Sequence, residues 1–226
     1  MNTTTIKDYE VMAPVGSRES LQAAIQAGAD SIYFGVEQLN MRSHSANHFT
    51  IDDLREIAAT CAEHGMKSYL TVNTIIYDED VELMHHIIDA AYEAKISAVI
   101  ASDVAVMTYC RKKGVEVHLS TQLNISNAEA LEFYAQFADV VVLARELNMD
   151  QVAYIHSQIS ERNIVGPNGD PVRIEMFCHG ALCMAVSGKC YMSLEKPDAP
   201  PTAVSVCRSA AALTPSRTTR RVISSR

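Results

Sequence analysis

Seven short apolar runs alternate with six amphipathic stretches along the first 177 residues, and this alternation limits the fold more than any other feature of the chain. The runs cover residues 9–13, 31–35, 67–73, 98–101, 115–119, 140–143 and 174–177. Val140-Val141-Val142-Leu143 has no polar face, as expected of a strand in a parallel sheet covered on both sides. Between the runs the apolar period is helical. From about Arg18, Leu21, Ala24, Ile25 and Gly28 share one face, and Thr50 caps a helix to His64 whose inner stripe is Ile51, Leu54, Ile57, Ala58 and Cys61. Further helices are expected over 79–94, 103–113, 126–137 and 148–159. Regular β/α alternation leaves a barrel or a doubly wound sheet, and no Gly-x-Gly-x-x-Gly follows the first run to favour the second. The expected fold is α/β: a TIM-barrel-like domain over residues 1–177, incomplete at its C-terminal end, then a Cys-rich segment at 178–195 and a basic tail at 196–226.

Composition excludes other classes. With 48% hydrophobic and 20% charged residues and a mean hydropathy of zero, the chain is not intrinsically disordered as a whole. No stretch approaches the roughly 18 apolar residues of a membrane helix, and the N-terminus has no apolar signal core, so a soluble, cytoplasmic protein is expected. Six scattered cysteines do not make a disulfide scaffold at this length. Cys61 and Cys110, each on a helix face, read as small hydrophobes. Charge is uneven: residues 1–195 carry a net −13, whereas 196–226 carry +5 and four of the seven prolines. Such a shift marks a domain boundary or a disordered tail, and the tail has no aromatic residue to stack on a base.

In a barrel, chemistry gathers at the C-terminal ends of the strands. Those positions hold Pro14 and Gly16, Gly35, Asn73, Asp103, Ser120 and Gln122, Arg145 and Glu146, and His179. Asn73, Asp103, Gln122, Arg145, Glu146 and His179 are the candidate catalytic residues. Plainer roles remain open: Asp103 suits a helix cap, Arg145 and Glu146 suit a rim ion pair, and Asn73 suits a turn. Neither a Gly-x-Ser-x-Gly elbow nor a His-Glu-x-x-His pattern occurs. The densest local signal is the segment from Glu175 to Cys190, where Cys178, Cys183 and Cys190 flank glycines and His179. Thiolates at this density suit zinc or an iron–sulfur cluster; buried small hydrophobes are the alternative.

Three stretches carry a family resemblance: Glu-Val-Met-Ala-Pro-Val-Gly-Ser at 10–17, Ala-Gly-Ala-Asp-Ser-Ile-Tyr-Phe-Gly at 27–35, and His-Gly-Ala-Leu-Cys with Ser-Gly-Lys-Cys within 179–190. From about Tyr9 to Glu195 the chain resembles the U32 peptidase family, also labelled collagenase-like protease. The resemblance implies a barrel domain and an enzyme of one of two kinds. One is prephenate-dependent hydroxylation of an RNA base (a tRNA uridine or an rRNA cytidine), with RNA and a small carboxylate co-substrate as partners. The other is peptide-bond hydrolysis. It further implies a 4Fe–4S cluster with Cys183 and Cys190 as two of four ligands. Arg42 and Arg145 are the candidate substrate clamps for a carboxylate. The acidic body counts against RNA binding, because neutralising phosphates needs Lys and Arg.

The family's next element, Arg-Gly-x-Cys-x-x-x-Cys-Arg-Arg-Ser-Tyr, is absent. Permitted codons for Thr202–Leu213, read in another frame, yield Arg-Gly-Val-Cys-Val-Gln-Ile-Cys-Arg-Arg-Ser. The expectation is a one-base deletion near codon 200, with Pro200–Arg226 out of frame and Cys207 accidental. Cluster binding is then doubtful or labile, completed at most by Cys178 or Cys207, and an inactive remnant is the third functional alternative.

Overall fold

All seven apolar runs contribute strands and all six amphipathic stretches form helices. The computed structural model describes residues 9–37, 39–40, 49–180 and 186. In chain order the elements are β1 (Met12–Pro14), α1 (Arg18–Ala27), β2 (Ser31–Phe34), α2 (Ile51–Glu63), β3 (Lys67–Val72), α3 (Val81–Glu93), β4 (Ala98–Ala101), α4 (Val104–Lys113), β5 (Val117–Leu119), α5 (Ala128–Ala135), β6 (Val140–Val142), α6 (Met149–Glu161) and β7 (Arg173–Glu175). Short 3-10 turns at Asp78–Asp80 and Thr121–Leu123 precede α3 and follow β5. No helix among the described residues is long and apolar enough to cross a membrane.

Local chemistry sets the helix ends. Ser17 accepts from the Ser20 amide while the Ser20 hydroxyl accepts from the Ser17 amide, and Thr50 with Asp53 and Asn148 with Gln151 repeat the reciprocal arrangement. Gly28 and Gly114 close α1 and α4 at φ 72° and 76°, a left-handed conformation that costs a side-chain-bearing residue about 1 kcal/mol. The last strand ends earlier than the apolar run suggests: Met176 and Phe177 follow it and are exposed.

All six strand pairs are parallel, and the strands lie in chain order across the sheet. Each crossover therefore steps to the next strand in the same direction. With right-handed crossovers, all six helices fall on one face of the sheet. A doubly wound sheet reverses direction at an inner strand and is ruled out; the architecture is a TIM-barrel-like half-barrel. Among the described residues, β1 and β7 are the two edges.

The period of two along each strand sorts side chains between the faces. Ile32 and Phe34, Leu70 and Val72, Val99 and Ala101, Val117 and Leu119, and Val141 point outward and pack with Leu54, Ile57, Ile87, Ile88, Met107 and Leu131 of the helices. Burying each large aliphatic side chain here stabilises the fold by about 1.5–3 kcal/mol. Cys61 and Cys110 sit in this layer as free thiols, pushed up to about 11 and about 12 by burial, which bears out their reading as hydrophobes. The concave face carries a smaller apolar cluster of Tyr69, Ala98 and Ile100 with Met12 and Tyr33.

Candidate functional site

Parallel strands place all their C-terminal ends at one mouth. There Asn73, just after β3, donates from Nδ2 to Ser120 Oγ and to Gln122 Oε1, each at 3.3 Å. The Ser120 hydroxyl also donates to Gln122 Oε1, and Ser102 Oγ donates to the Asn73 carbonyl at 2.9 Å. The 3-10 turn after β5 is what swings Gln122 back over the strand end. Two of the sequence candidates, Asn73 and Gln122, are thus joined through Ser120 into a neutral hydrogen-bonding trio.

The other candidates are distributed around it. Asp103 caps α4: one carboxylate oxygen accepts from the Ala105 amide at 2.8 Å and the other from the Ile76 amide at 3.1 Å. The cap role is therefore the one the geometry supports. Arg145 and Glu146 occupy the exposed turn after β6, and the Arg145 guanidinium lies 5.9 Å from the centre of the Phe177 ring, which is itself 48% exposed. His179 and Cys178 are exposed beyond the end of β7. Arg42, Cys183 and Cys190 lie outside the described residues, as do the tail and nearly all of the Cys-rich segment. Among the described residues, no three His, Cys, Asp or Glu side chains are grouped to hold a metal ion.

Below the mouth, the concave face holds a polar layer that the sequence reading missed. Tyr69 of β3 donates to Glu10 Oε1 at 2.6 Å, and Lys67 bonds the other Glu10 oxygen at 2.6 Å. The Tyr69 ring lies 4.6 Å from the ring of His118 in β5. His118 Nε2 is 3.3 Å from Glu116 Oε1, which Arg173 also bonds at 2.6 Å, and His118 Nδ1 is 4.0 Å from Glu175 Oε2. Glu10, Tyr69, His118 and Glu175 come from the first, third, fifth and seventh strand lines, each contacting the next. This is the alternate-strand layering of a barrel interior, built here from polar groups.

Electrostatics follows from these contacts. Burial disfavours the Glu10 anion, but hydrogen bonds from Lys67 and Tyr69 outweigh it and hold the carboxyl below its usual range. The His118 hydrogen bond, reinforced by Arg173, does the same for Glu116 against a burial cost. Burial, then the neighbouring Glu10 carboxylate, pushes the Tyr69 phenol far up. Glu175 is pushed up to about 7, by burial first and by the negative charge of Glu10 second. A signal for the layer was available: Glu116-Val-His118-Leu-Ser120 and Arg173-Ile-Glu175 alternate polar and apolar, so their polar face has to look away from the helices.

Comparison with known proteins bears on the family and the fold. The family model described as Peptidase family U32 matches residues 16–198. The chain is 71% identical over 191 residues to a protein of Porphyromonas gingivalis named collagenase, a match covering 84% of this chain and 46% of that protein. It is 33% identical over 190 residues to the tRNA hydroxylation protein P1 of Bacillus subtilis, covering 83% of this chain and 42% of that protein. The chain thus spans less than half the length of either relative. Among solved structures, the U32 peptidase Mk0906 superposes with a TM-score of 0.58 at 14% identity, over 74% of this chain and 67% of that one, and supports the fold alone.

Proposed function

The chain belongs to peptidase family U32, and from that premise we propose that it is the barrel portion of an enzyme that hydroxylates an RNA base with the help of a small carboxylate co-substrate such as prephenate. The observation that carries this reading is that the C-terminal strand ends present both the Asn73–Ser120–Gln122 trio and Arg145 beside the exposed ring of Phe177. Amide and hydroxyl groups suit the hydrogen-bonding edge of a base, an exposed aromatic face suits stacking on it, and a guanidinium suits a carboxylate. The relative named for tRNA hydroxylation supports the same substrate class. Arg42 is a second proposed carboxylate clamp.

A 4Fe–4S cluster on Cys183 and Cys190 is part of the proposal. The described residues do not supply a ligand set for it: Cys178 is the one thiol at the mouth among them, and it is exposed. Glu146 and His179, exposed on the same rim, are the proposed catalytic groups.

Peptide-bond hydrolysis is the second reading, favoured by the 71% identity to a protein named collagenase. Asp103 does not serve it well as a base for water activation, since both of its carboxylate oxygens are engaged by backbone amides. The two readings separate in one experiment on the full-length protein and its deletion strain. Nucleoside mass spectrometry of tRNA and rRNA is expected to show one hydroxylated nucleoside lost on deletion and restored on complementation. Unchanged nucleosides, together with peptides released from gelatin by the purified protein, would transfer the assignment to proteolysis.

A further inference from the structure

We propose that Glu175 is an acid–base group of the barrel site: the single hydrogen of its neutral carboxyl, which faces the unpartnered Nδ1 of His118 in the free protein, turns to a ligand oxygen in the barrel interior when a ligand binds, with His118 anchored through its other nitrogen on Glu116. The proposal deepens the co-substrate reading above and rests on it for the choice of ligand.

Accessibility divides the roles. The Glu175 side chain, on the last residue of β7, is 25% exposed, whereas the His118 side chain is 4% exposed. Hydrogen bonding to Glu116 orients His118. With its Nε2 hydrogen given to the Glu116 carboxylate, a neutral His118 presents the lone pair of Nδ1. That Nδ1 is buried with no hydrogen-bond partner and faces Glu175 Oε2 across 4.0 Å. A buried acceptor of this kind calls for a donor, and the hydrogen of a neutral Glu175 carboxyl is the group placed to supply it.

Charge balance points the same way. The titratable and charged groups of this concave layer are Arg173 on the strand of Glu175, Glu116 just ahead of β5 and His118 in it, Lys67 and Tyr69 from β3, and Glu10 ahead of β1; His118 lies nearest at 4.0 Å and Glu10 acts through its charge. Lys67 and Arg173 neutralise Glu10 and Glu116, so the cluster is electrically neutral when the His118–Glu175 pair carries one proton between its two members. Removing that proton leaves a third, uncompensated anion on the concave face. The upward shift of Glu175 to about 7 is the consequence, and it places the carboxyl where acid–base exchange is efficient at neutral pH. In the step itself the Glu175 O–H bond breaks, its electron pair stays on the carboxylate, and the hydrogen forms a new O–H bond on the ligand. Solvent water returns a proton to Glu175 after the ligand leaves.

The test is calorimetric titration of the full-length protein with prephenate, from pH 6 to 9, in two buffers of different ionisation heat. Wild type is expected to take up about one proton per prephenate bound at pH 8 and to lose affinity about tenfold per pH unit above 7. E175Q is expected to bind with neither proton uptake nor that pH dependence. H118A is expected to lower the midpoint of the dependence, because the neutral acid loses its acceptor; a purely structural role would leave the midpoint in place. Unchanged proton uptake in E175Q, or pH-independent binding by wild type, overturns the proposal. If folded wild type binds no prephenate, the co-substrate reading fails, and carbon-13 titration of the Glu175 carboxyl decides the rest. A midpoint near 7 that falls in E10Q upholds the acid–base role, and a midpoint in the ordinary glutamate range overturns it.

Discussion

Replacing Glu175 by Gln isolates what one buried proton contributes to stability. The folded-state carboxyl titrates at about 7 against 4.5 for the ordinary side chain, so the folded protein holds this proton more tightly than the unfolded chain does. Below about pH 4.5 the group is neutral in both states, and its contribution is fully present. As pH rises toward 7 the unfolded chain ionises freely while the folded protein resists, and above 7 the whole contribution is lost. At 1.36 kcal/mol per unit the loss approaches about 3 kcal/mol, and the side chain's 25% exposure brings the expected figure to about 2–3 kcal/mol. Gln keeps the shape and an N–H donor for His118 but does not ionise, so E175Q avoids the loss. Urea unfolding of both proteins at pH 4.5, 6 and 8 reads it directly. The midpoints are expected to coincide at pH 4.5 and to separate by about 1–1.5 M at pH 8, E175Q being the more stable, for a slope of about 2 kcal/mol/M. A separation that does not vary with pH would refute the reasoning, because it would place the difference in packing.

Four other outcomes are expected. D103A loses about 1 kcal/mol of stability through the α4 cap, whereas D103N, which retains an acceptor, loses less than half of that in the same unfolding assay and keeps full activity. G166A loses about 1–3 kcal/mol, because its Cβ would lie 2.4 Å from Asp139 Oδ1 and 2.9 Å from the Asp139 Cα; an unchanged thermal midpoint would mean that this contact relaxes freely. L54A, at a position with 0% exposure between α2 and the sheet, costs about 2–5 kcal/mol, read as a lowered urea midpoint with an unchanged slope. The anaerobically purified 226-residue chain carries well under the roughly four irons of a complete cluster, and stoichiometric iron with a stable visible absorbance would show that the ligand set is complete after all.

The helices were the most legible part of the chain because their signals are local. Thr50 with Asp53 names the start of α2 within one helical turn, and Gly114 names the end of α4 through its own backbone freedom. Strand limits were less so: the run 9–13 becomes Met12–Pro14, since pairing with β2 rather than hydrophobicity decides which residues extend the ladder. At the mouth, listing the residues that follow each strand located Asn73 and Gln122 but left Asp103 with two roles. The structure shows the cap and adds a bond no local pattern announces, from the amide of Ile76, in a loop 27 residues away in the chain, to the second carboxylate oxygen.

Period and punctuation along the sequence determined the class of the fold, the order of its elements and the end of the sheet where polar residues collect, because each depends on neighbours within a few residues. Tertiary structure alone decided the concave polar layer. Glu10, Tyr69, His118 and Glu175 are spread across more than 160 residues of sequence, and each meets the next only because the sheet brings side chains two strands apart together on one face. The proton on Glu175 is a property of that arrangement: taken separately, each strand carries an ordinary glutamate, and only the shared, partly dehydrated interior with Glu10 facing it makes the charged form costly.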